Sequence, residues 1–168
     1  VGTTFLWKHL LTHFKEIDFA VIGEGERTFL NIVKCIEKYH SDKISYKHIK
    51  NIRGIAFRKG GKVVKTKAAE AIKDLDKLPI PAKYFTYQHV ALTRGCPGNC
   101  TFCGSPKLWG HKVRFHSADY FVNQIELLYK KGVTFFYVSD DTFTFKKDLV
   151  IKVCKKILER NLKIVWVA

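Results

Sequence analysis

An α/β architecture in two modules follows from three features of the sequence. A short apolar run, Ile17–Ile22, stops at Gly23-Glu-Gly-Glu26 and leads into an amphipathic stretch. That order of strand, glycine turn and helix is the tail of a doubly wound unit. Leu75-Asp-Lys-Leu-Pro-Ile-Pro81 reads as an extended linker, because each proline biases its predecessor away from helix. Beyond it, apolar runs alternate with helical stripes as strand, helix, strand, helix, strand. Such βα repeats imply parallel strands, whose faces need covering.

The elements follow in order. Val1-Gly-Thr-Thr4 reads as the end of a strand, entering a helix over Leu6–Phe14. Arg27–Tyr39 carries Phe29, Ile32, Val33 and Ile36 at helical spacing. Ile52–Phe57 and Val63–Thr66 alternate on either side of Gly60-Gly61, which predicts a β-hairpin. His89–Thr93 is a strand running into a cysteine-rich loop, and Ser117 caps a helix with Phe121, Val122, Ile125 and Leu128 on one face, closed near Gly132. Val133–Ser139 is a buried strand ending at Asp140 and Asp141. Lys147–Arg160 bears the stripe Leu149, Val150, Val153, Cys154, Ile157 and Leu158, and Leu162–Val167 is a last strand. The expected organisation is an α/β module over residues 1–40, a hairpin and linker over 41–84, and a βα module over 85–168.

With 46% hydrophobic residues in 168, the chain can bury a core, which excludes general disorder. Its uninterrupted apolar runs are strand-sized, too short for a transmembrane helix, and no secretory signal is evident. The chain starts at Val1 and contains no methionine, so a piece of a longer protein is expected. Thirty Lys and Arg against 15 Asp and Glu give a net charge of +15. The sharp reading of that charge is a nucleic-acid partner or an anionic substrate. However, only Arg27, Arg53, Arg58, Arg94, Arg114 and Arg160 are arginines, and the lysines scatter from Lys8 to Lys163. A solvated lysine background is the simpler reading.

Three of the five cysteines crowd into Arg94-Gly-Cys-Pro-Gly-Asn-Cys-Thr-Phe-Cys103. An odd cysteine count without a secretion signal points to a reducing cytoplasm and metal or redox chemistry. Cys96, Cys100 and Cys103 suit three corners of a four-iron cluster, leaving one iron open to a ligand. Gly95, Pro97 and Gly98 suit a loop that wraps closely around such a group. A structural zinc site is the alternative. It needs a fourth ligand, for which His111, His116 and Cys35 are the candidates.

The Cys96-x3-Cys100-x2-Cys103 spacing, with Phe102 before the last cysteine, resembles the signature of the radical S-adenosylmethionine superfamily. Trp109–Ser117, Tyr137–Phe143, Gly23–Glu26 and the Leu75–Pro81 linker resemble, in the same order, the subgroup with an amino-terminal cobalamin-binding domain. The resemblance implies the tail of a cobalamin-binding-like domain followed by the first half of a (βα) barrel. It implies that Cys96, Cys100 and Cys103 hold a [4Fe–4S] cluster whose open iron chelates S-adenosylmethionine, for reductive cleavage to a 5′-deoxyadenosyl radical. Phe102 is then expected near the adenine, and Asp140, Asp141 and Thr142 near the methionine amino group. Gly23, Glu24 and Gly25 are expected either to approach cobalamin or simply to make a tight turn. Cobalamin-linked methyl transfer or related radical chemistry, such as ring rearrangement or cyclisation, is the implied outcome, with an electron donor such as ferredoxin or flavodoxin. The loop that supplies cobalamin's lower histidine does not occur in these residues, and the piece is not expected to act alone. Two alternatives remain: a zinc-binding, Lys-rich module that docks nucleic acid, and a family member that does not use cobalamin. Cys154 and Cys35 are expected to be core residues.

Overall fold

A computed structural model describes residues 2–40 and 44–168. The chain divides into two compact units between Ile72 and Lys73. The expected boundary at 40/41 and the residue Val1 fall at positions outside the described residues.

The first unit opens with helix α1 (Gly2–His13), then strand β1 (Phe19–Val21), helix α2 (Gly25–Tyr39) and the short helix α3 (Tyr46–Ile49). Strands β2 (Ile55–Lys59) and β3 (Lys62–Lys65) complete it. Gly2–Thr4 are therefore helical rather than the end of a strand. The hairpin forms across Gly60-Gly61, where both glycines take positive φ, and pairs antiparallel with β1 in the order β1-β2-β3. A doubly wound unit is built on parallel neighbours; among the described residues β1 has only this antiparallel one.

Ile32, Cys35, Ile49, Ile52, Ile55 and Phe57 form one core of this unit. Phe29, expected on the buried stripe of α2, is 61% exposed, because the buried face passes through Thr28, Ile32 and Cys35. Arg58 closes the carboxyl end of α1: its guanidinium donates to the carbonyls of Leu11, Phe14, Lys15 and Ile17 at 2.6–3.2 Å. Of these, the Leu11 carbonyl is one that the helix end leaves without an intrahelical partner, and the other three belong to the segment that leads from α1 to β1.

The second unit begins with two 3₁₀ turns, Leu75–Lys77 and Pro81–Lys83. The expected linker is thus folded onto the unit, with Leu75 and Ala82 fully buried. The prolines exclude α-helix but admit these single turns. Asp76 fastens the first turn, accepting from the Ser117 backbone amide at 2.9 Å and pairing with His116 Nδ1 at 3.1 Å. Then follow β4 (His89–Val90), β5 (Thr93–Arg94), α4 (Ser105–Trp109), β6 (Arg114–Phe115), α5 (Ala118–Tyr129), β7 (Phe135–Val138), α6 (Lys147–Glu159) and β8 (Val165–Val167).

Strands β4, β7 and β8 make a parallel sheet in that order, while β5 and β6 make a separate antiparallel pair. Ser117 caps α5 through its side chain, which accepts from the Tyr120 amide at 3.1 Å. Phe121, Val122, Ile125 and Leu128 of α5 pack with Val153 and Ile157 of α6 against Phe136 and Val138 of β7. Of the expected α6 stripe, Val153 and Ile157 are buried and Leu149 packs partly buried against the same core; Cys154 is half-buried and Leu158 is exposed. Helices cover this one face of the sheet. The other carries Tyr137, Val165 and Val167, all exposed.

Candidate functional site

The cysteines lie in an excursion from the carboxyl end of the parallel sheet, and the sequence holds its base shut. β5 leads out, β6 leads back, and their register pairs Thr93 with Phe115 and Arg94 with Arg114. The His116 amide extends the pairing to the Leu92 carbonyl at 2.8 Å. Gly95 sits at φ +101°, and a Cβ there would lie 2.5 Å from the Lys112 carbonyl oxygen, so only glycine fits. The Arg94 guanidinium lies 4.9 Å from the centre of the Trp109 ring, and Arg114 Nη2 donates to the Trp109 carbonyl at 3.0 Å. Both arginines thus grip the far side of the loop.

Inside this frame the thiols are free of disulfides. The Sγ atoms of Cys96 and Cys100 flank Gly98 and would lie 3.4 and 3.8 Å from a Cβ built on it. Cys103 Sγ accepts from the Ser105 amide at 3.5 Å, and the Cys103 amide donates to the Cys100 carbonyl at 3.1 Å. Cys100 is exposed, Cys96 and Cys103 are half-buried, and Phe102 stands 91% exposed.

The carboxyl end of β7 meets this loop. Side chains alternate along the strand, so Phe136 and Val138 are buried and Tyr137 is exposed; past its end Ser139 and Asp141 are exposed and Asp140 is half-buried. Asp140 Oδ1 accepts from the backbone amides of Leu92 at 2.8 Å and Thr93 at 3.1 Å. Burial pushes its carboxyl above the usual carboxylate range, although those amides pull the other way. Asp141 Oδ2 accepts from the Ser105 hydroxyl. Thr142 Oγ1 lies 3.7 Å from Cys96 Sγ, at the distance of a weak hydrogen bond to sulfur.

The structure therefore brings together Cys96, Cys100, Cys103, Asp141 and Thr142, with Asp140 behind them. It does not bring Gly23, Glu24 and Gly25 into this unit. Gly23 takes φ +81°, its amide donating to Thr4 Oγ1 at 3.0 Å. Glu24 is buried, and its Oε2 accepts from the Ile72 amide at 3.3 Å. His116 is buried against Tyr120 and hydrogen-bonded to Asp76, and His111 is exposed. Ser105, Arg94 and Trp109 were not singled out from the sequence. Gly104-Ser-Pro106 was the available signal, since proline favours the first turn of a helix.

Among the described residues no three His, Cys, Asp or Glu side chains are grouped to hold a single metal ion. Ligands of one zinc ion crowd within about 2.0–2.3 Å of it. The thiolates of an iron–sulfur cluster each meet a different iron and stand farther apart. The loop's donors suit such a cluster: they are free thiols, Gly98 lies between two of them, and a backbone amide donates to the third sulfur.

Comparison with known proteins agrees in class. The family description "Radical SAM superfamily" matches residues 90–168, and that part of the chain belongs to the superfamily. An uncharacterized methyltransferase of Pyrococcus horikoshii is 32% identical over 164 residues, covering 90% of this chain and 34% of the relative. Anaerobic magnesium-protoporphyrin IX monomethyl ester cyclase of Cereibacter sphaeroides is 30% identical over 181 residues, covering 99% of this chain and 29% of the relative. The chain spans about a third of the length of these curated relatives.

Among solved structures, the cobalamin-dependent S-adenosylmethionine radical enzyme OxsB, with aqua-cobalamin and S-adenosylmethionine bound, superposes with a TM-score of 0.77. It is 20% identical, and the match covers 99% of this chain and 24% of that one. The radical S-adenosylmethionine methyltransferase TsrM of Kitasatospora setae, with cobalamin and a [4Fe-4S] cluster bound, gives 0.72. It is 15% identical, with 95% and 33% covered. At these identities the likeness is one of fold.

Proposed function

We propose that this chain is the part of a radical S-adenosylmethionine enzyme in which a cobalamin-binding-like domain passes into the barrel. Residues 1–40 are the end of the first domain, 41–84 the hairpin and linker, and 85–168 the first half of the barrel. Cys96, Cys100 and Cys103 hold a [4Fe–4S] cluster. When bound, that cluster supplies the electron that cleaves S-adenosylmethionine to a 5′-deoxyadenosyl radical. The observation that carries this reading is the meeting of three free thiols with Asp141 and Thr142 at one end of a parallel sheet. In (βα) barrels that end is where active sites collect.

The chain's own residues orient and shield, while the cofactor does the difficult chemistry. The Ser105 amide and the Thr142 hydroxyl adjust the electronics of the ligating sulfurs, as hydrogen bonds to sulfur do in such centres. The Asp141 carboxylate, which accepts from the Ser105 hydroxyl, would supply a negative group suited to the methionine ammonium of S-adenosylmethionine. Phe102, exposed on the loop, offers an apolar face for adenine. Methyl transfer linked to cobalamin is the reaction proposed for the whole protein, by analogy with its relatives. Gly23, Glu24 and Gly25 are the residues of the first domain proposed to face cobalamin, and a cytoplasmic one-electron donor of the ferredoxin or flavodoxin type serves the cluster. No helix among the described residues is long and apolar enough to cross a membrane.

The test is anaerobic reconstitution of the full-length protein with iron and sulfide. Wild type and the Cys35→Ala and Cys154→Ala variants should each take up four irons with broad absorption near about 400 nm. Alanine at Cys96, Cys100 or Cys103 should abolish that uptake. Colourless protein holding one zinc would overturn the proposal.

A further inference from the structure

We infer that Asp140 is a positioning residue rather than a cofactor contact: it sets where the cysteine loop leaves the sheet. The resemblance groups Asp140 with Asp141 and Thr142, but strand alternation separates them. Asp140 lies two residues past the end of β7, in step with the buried Phe136 and Val138, and is half-buried where Asp141 is exposed. From there its Oδ1 receives two consecutive amides, Leu92 at 2.8 Å and Thr93 at 3.1 Å.

Those amides lie just past the carboxyl end of β4, where the chain leaves its parallel pairing with β7 and turns into β5. The backbone ladder joins β7 to β4 as far as the bond from the Ser139 amide to the Val90 carbonyl at 2.8 Å. One carboxylate oxygen then takes over from the ladder for the next two amides. Gly95 and Cys96 follow after one residue, Arg94. On the other strand, Asp141 and Thr142 follow Asp140 directly and reach Ser105 and Cys96.

Asp140 therefore fixes both sides of the site at once. It pins the root of the loop and delivers the two residues that touch it. Charge-assisted hydrogen bonds of this kind are stronger than neutral ones, and both of them hold Oδ1 at the root of the loop, while Oδ2 is buried and makes no hydrogen bond among the described residues. The clamp is a feature of the polypeptide itself. Only its consequence for the cofactor rests on the cluster reading above.

The test separates the two. In the cluster-free full-length protein, amide hydrogen exchange is followed at Leu92 and Thr93, with Phe121 and Leu128 of α5 as controls. Asp140→Ala should speed exchange at Leu92 and Thr93 by about tenfold or more, the scale of losing an ionic hydrogen-bond acceptor, and leave the α5 amides unchanged. Asp140→Asn retains an oxygen that can accept both amides and should restore most of the protection. On reconstitution, Asp140→Asn should bind iron like wild type, and its reduced cluster should still change its electron paramagnetic resonance signal when S-adenosylmethionine is added. Asp140→Ala should lose that response.

If Asp140→Ala does not fold, the Asn variant decides. Wild-type protection with an intact S-adenosylmethionine response supports positioning. Wild-type protection with the response abolished makes Asp140 a direct contact and overturns the inference, as does fast exchange at Leu92 and Thr93 in the folded Asn variant. Unchanged exchange in a folded Ala variant also overturns it. Failure of the cluster reading would show differently: wild type would bind no iron, while the exchange contrast between Ala and Asn would persist.

Discussion

The hydroxyl of Thr142 lies 3.7 Å from the sulfur of Cys96, although 46 residues separate the two in the chain. Parallel pairing of β4 with β7 makes the contact possible, since it puts both strand exits at one end of the sheet. A hydroxyl beside a ligating sulfur stabilises the more reduced, more negative state of an iron–sulfur centre. Thr142→Val should therefore bind iron like wild type and lower the reduction potential, while Thr142→Ser should keep it. Spectroelectrochemical titration reads this directly; equal potentials in all three proteins would remove Thr142 from the site.

Gly95→Ala should damage the loop without touching a thiol. The residue holds φ +101°, and its missing Cβ faces the Lys112 carbonyl at 2.5 Å. Left-handed strain of this kind costs about 1–3 kcal/mol, and the backbone clash adds to it. Reconstituted Gly95→Ala should hold well under the wild-type iron content and melt earlier. Gly110→Ala, at φ +82° with open space around it, should be affected less.

Acid should loosen the joint between Asp76 and His116. Burial drives the His116 imidazole below the ordinary histidine range, against the opposing pull of Asp76. Burial raises the Asp76 carboxyl, but hydrogen bonds from Ser117 and His116 outweigh this and leave it lowered. A group with a depressed folded pKa binds its proton more readily when unfolded, so its contribution is complete above the unfolded value and lost as pH falls. For His116 that loss begins below about pH 6.5, and for Asp76 only below about pH 4. Thermal melting between about pH 7.5 and about pH 5 should show a falling Tm that His116→Gln flattens. An undiminished slope in that variant would assign the effect elsewhere.

Phe121→Ala should cost about 3–5 kcal/mol, because the ring is fully buried between α5 and the sheet. Denaturant unfolding of the second unit measures this. Leu158→Ala, on an exposed position of α6, should change little.

Much of this was legible from the sequence, and the failures have local causes. The α5 stripe and its Ser117 cap were readable because cap and periodicity agree. The hairpin was readable because two glycines interrupt an alternating pattern. The linker was misread as extended, since two short 3₁₀ turns around prolines leave no periodic trace; burial of Leu75 and Ala82 and the Asp76 clamp hold them in place. Gly2–Thr4 carry weak helix formers, and only the structure assigns them to α1. The cysteine spacing announced a site, but β6 and α4, which close its base, are too short to declare themselves by pattern. Asp140 and Asp141 look equivalent in the sequence. Their different surroundings arise from strand alternation and from a partner strand some 47 residues away.

The most direct test of the central claim is electron paramagnetic resonance of the reduced, reconstituted full-length protein with and without S-adenosylmethionine. Three thiolates leave one iron of a four-iron cluster open, so added S-adenosylmethionine should shift the signal, and 5′-deoxyadenosine should accumulate under reducing conditions. A four-iron signal that S-adenosylmethionine leaves unchanged, with no 5′-deoxyadenosine formed, would contradict the claim.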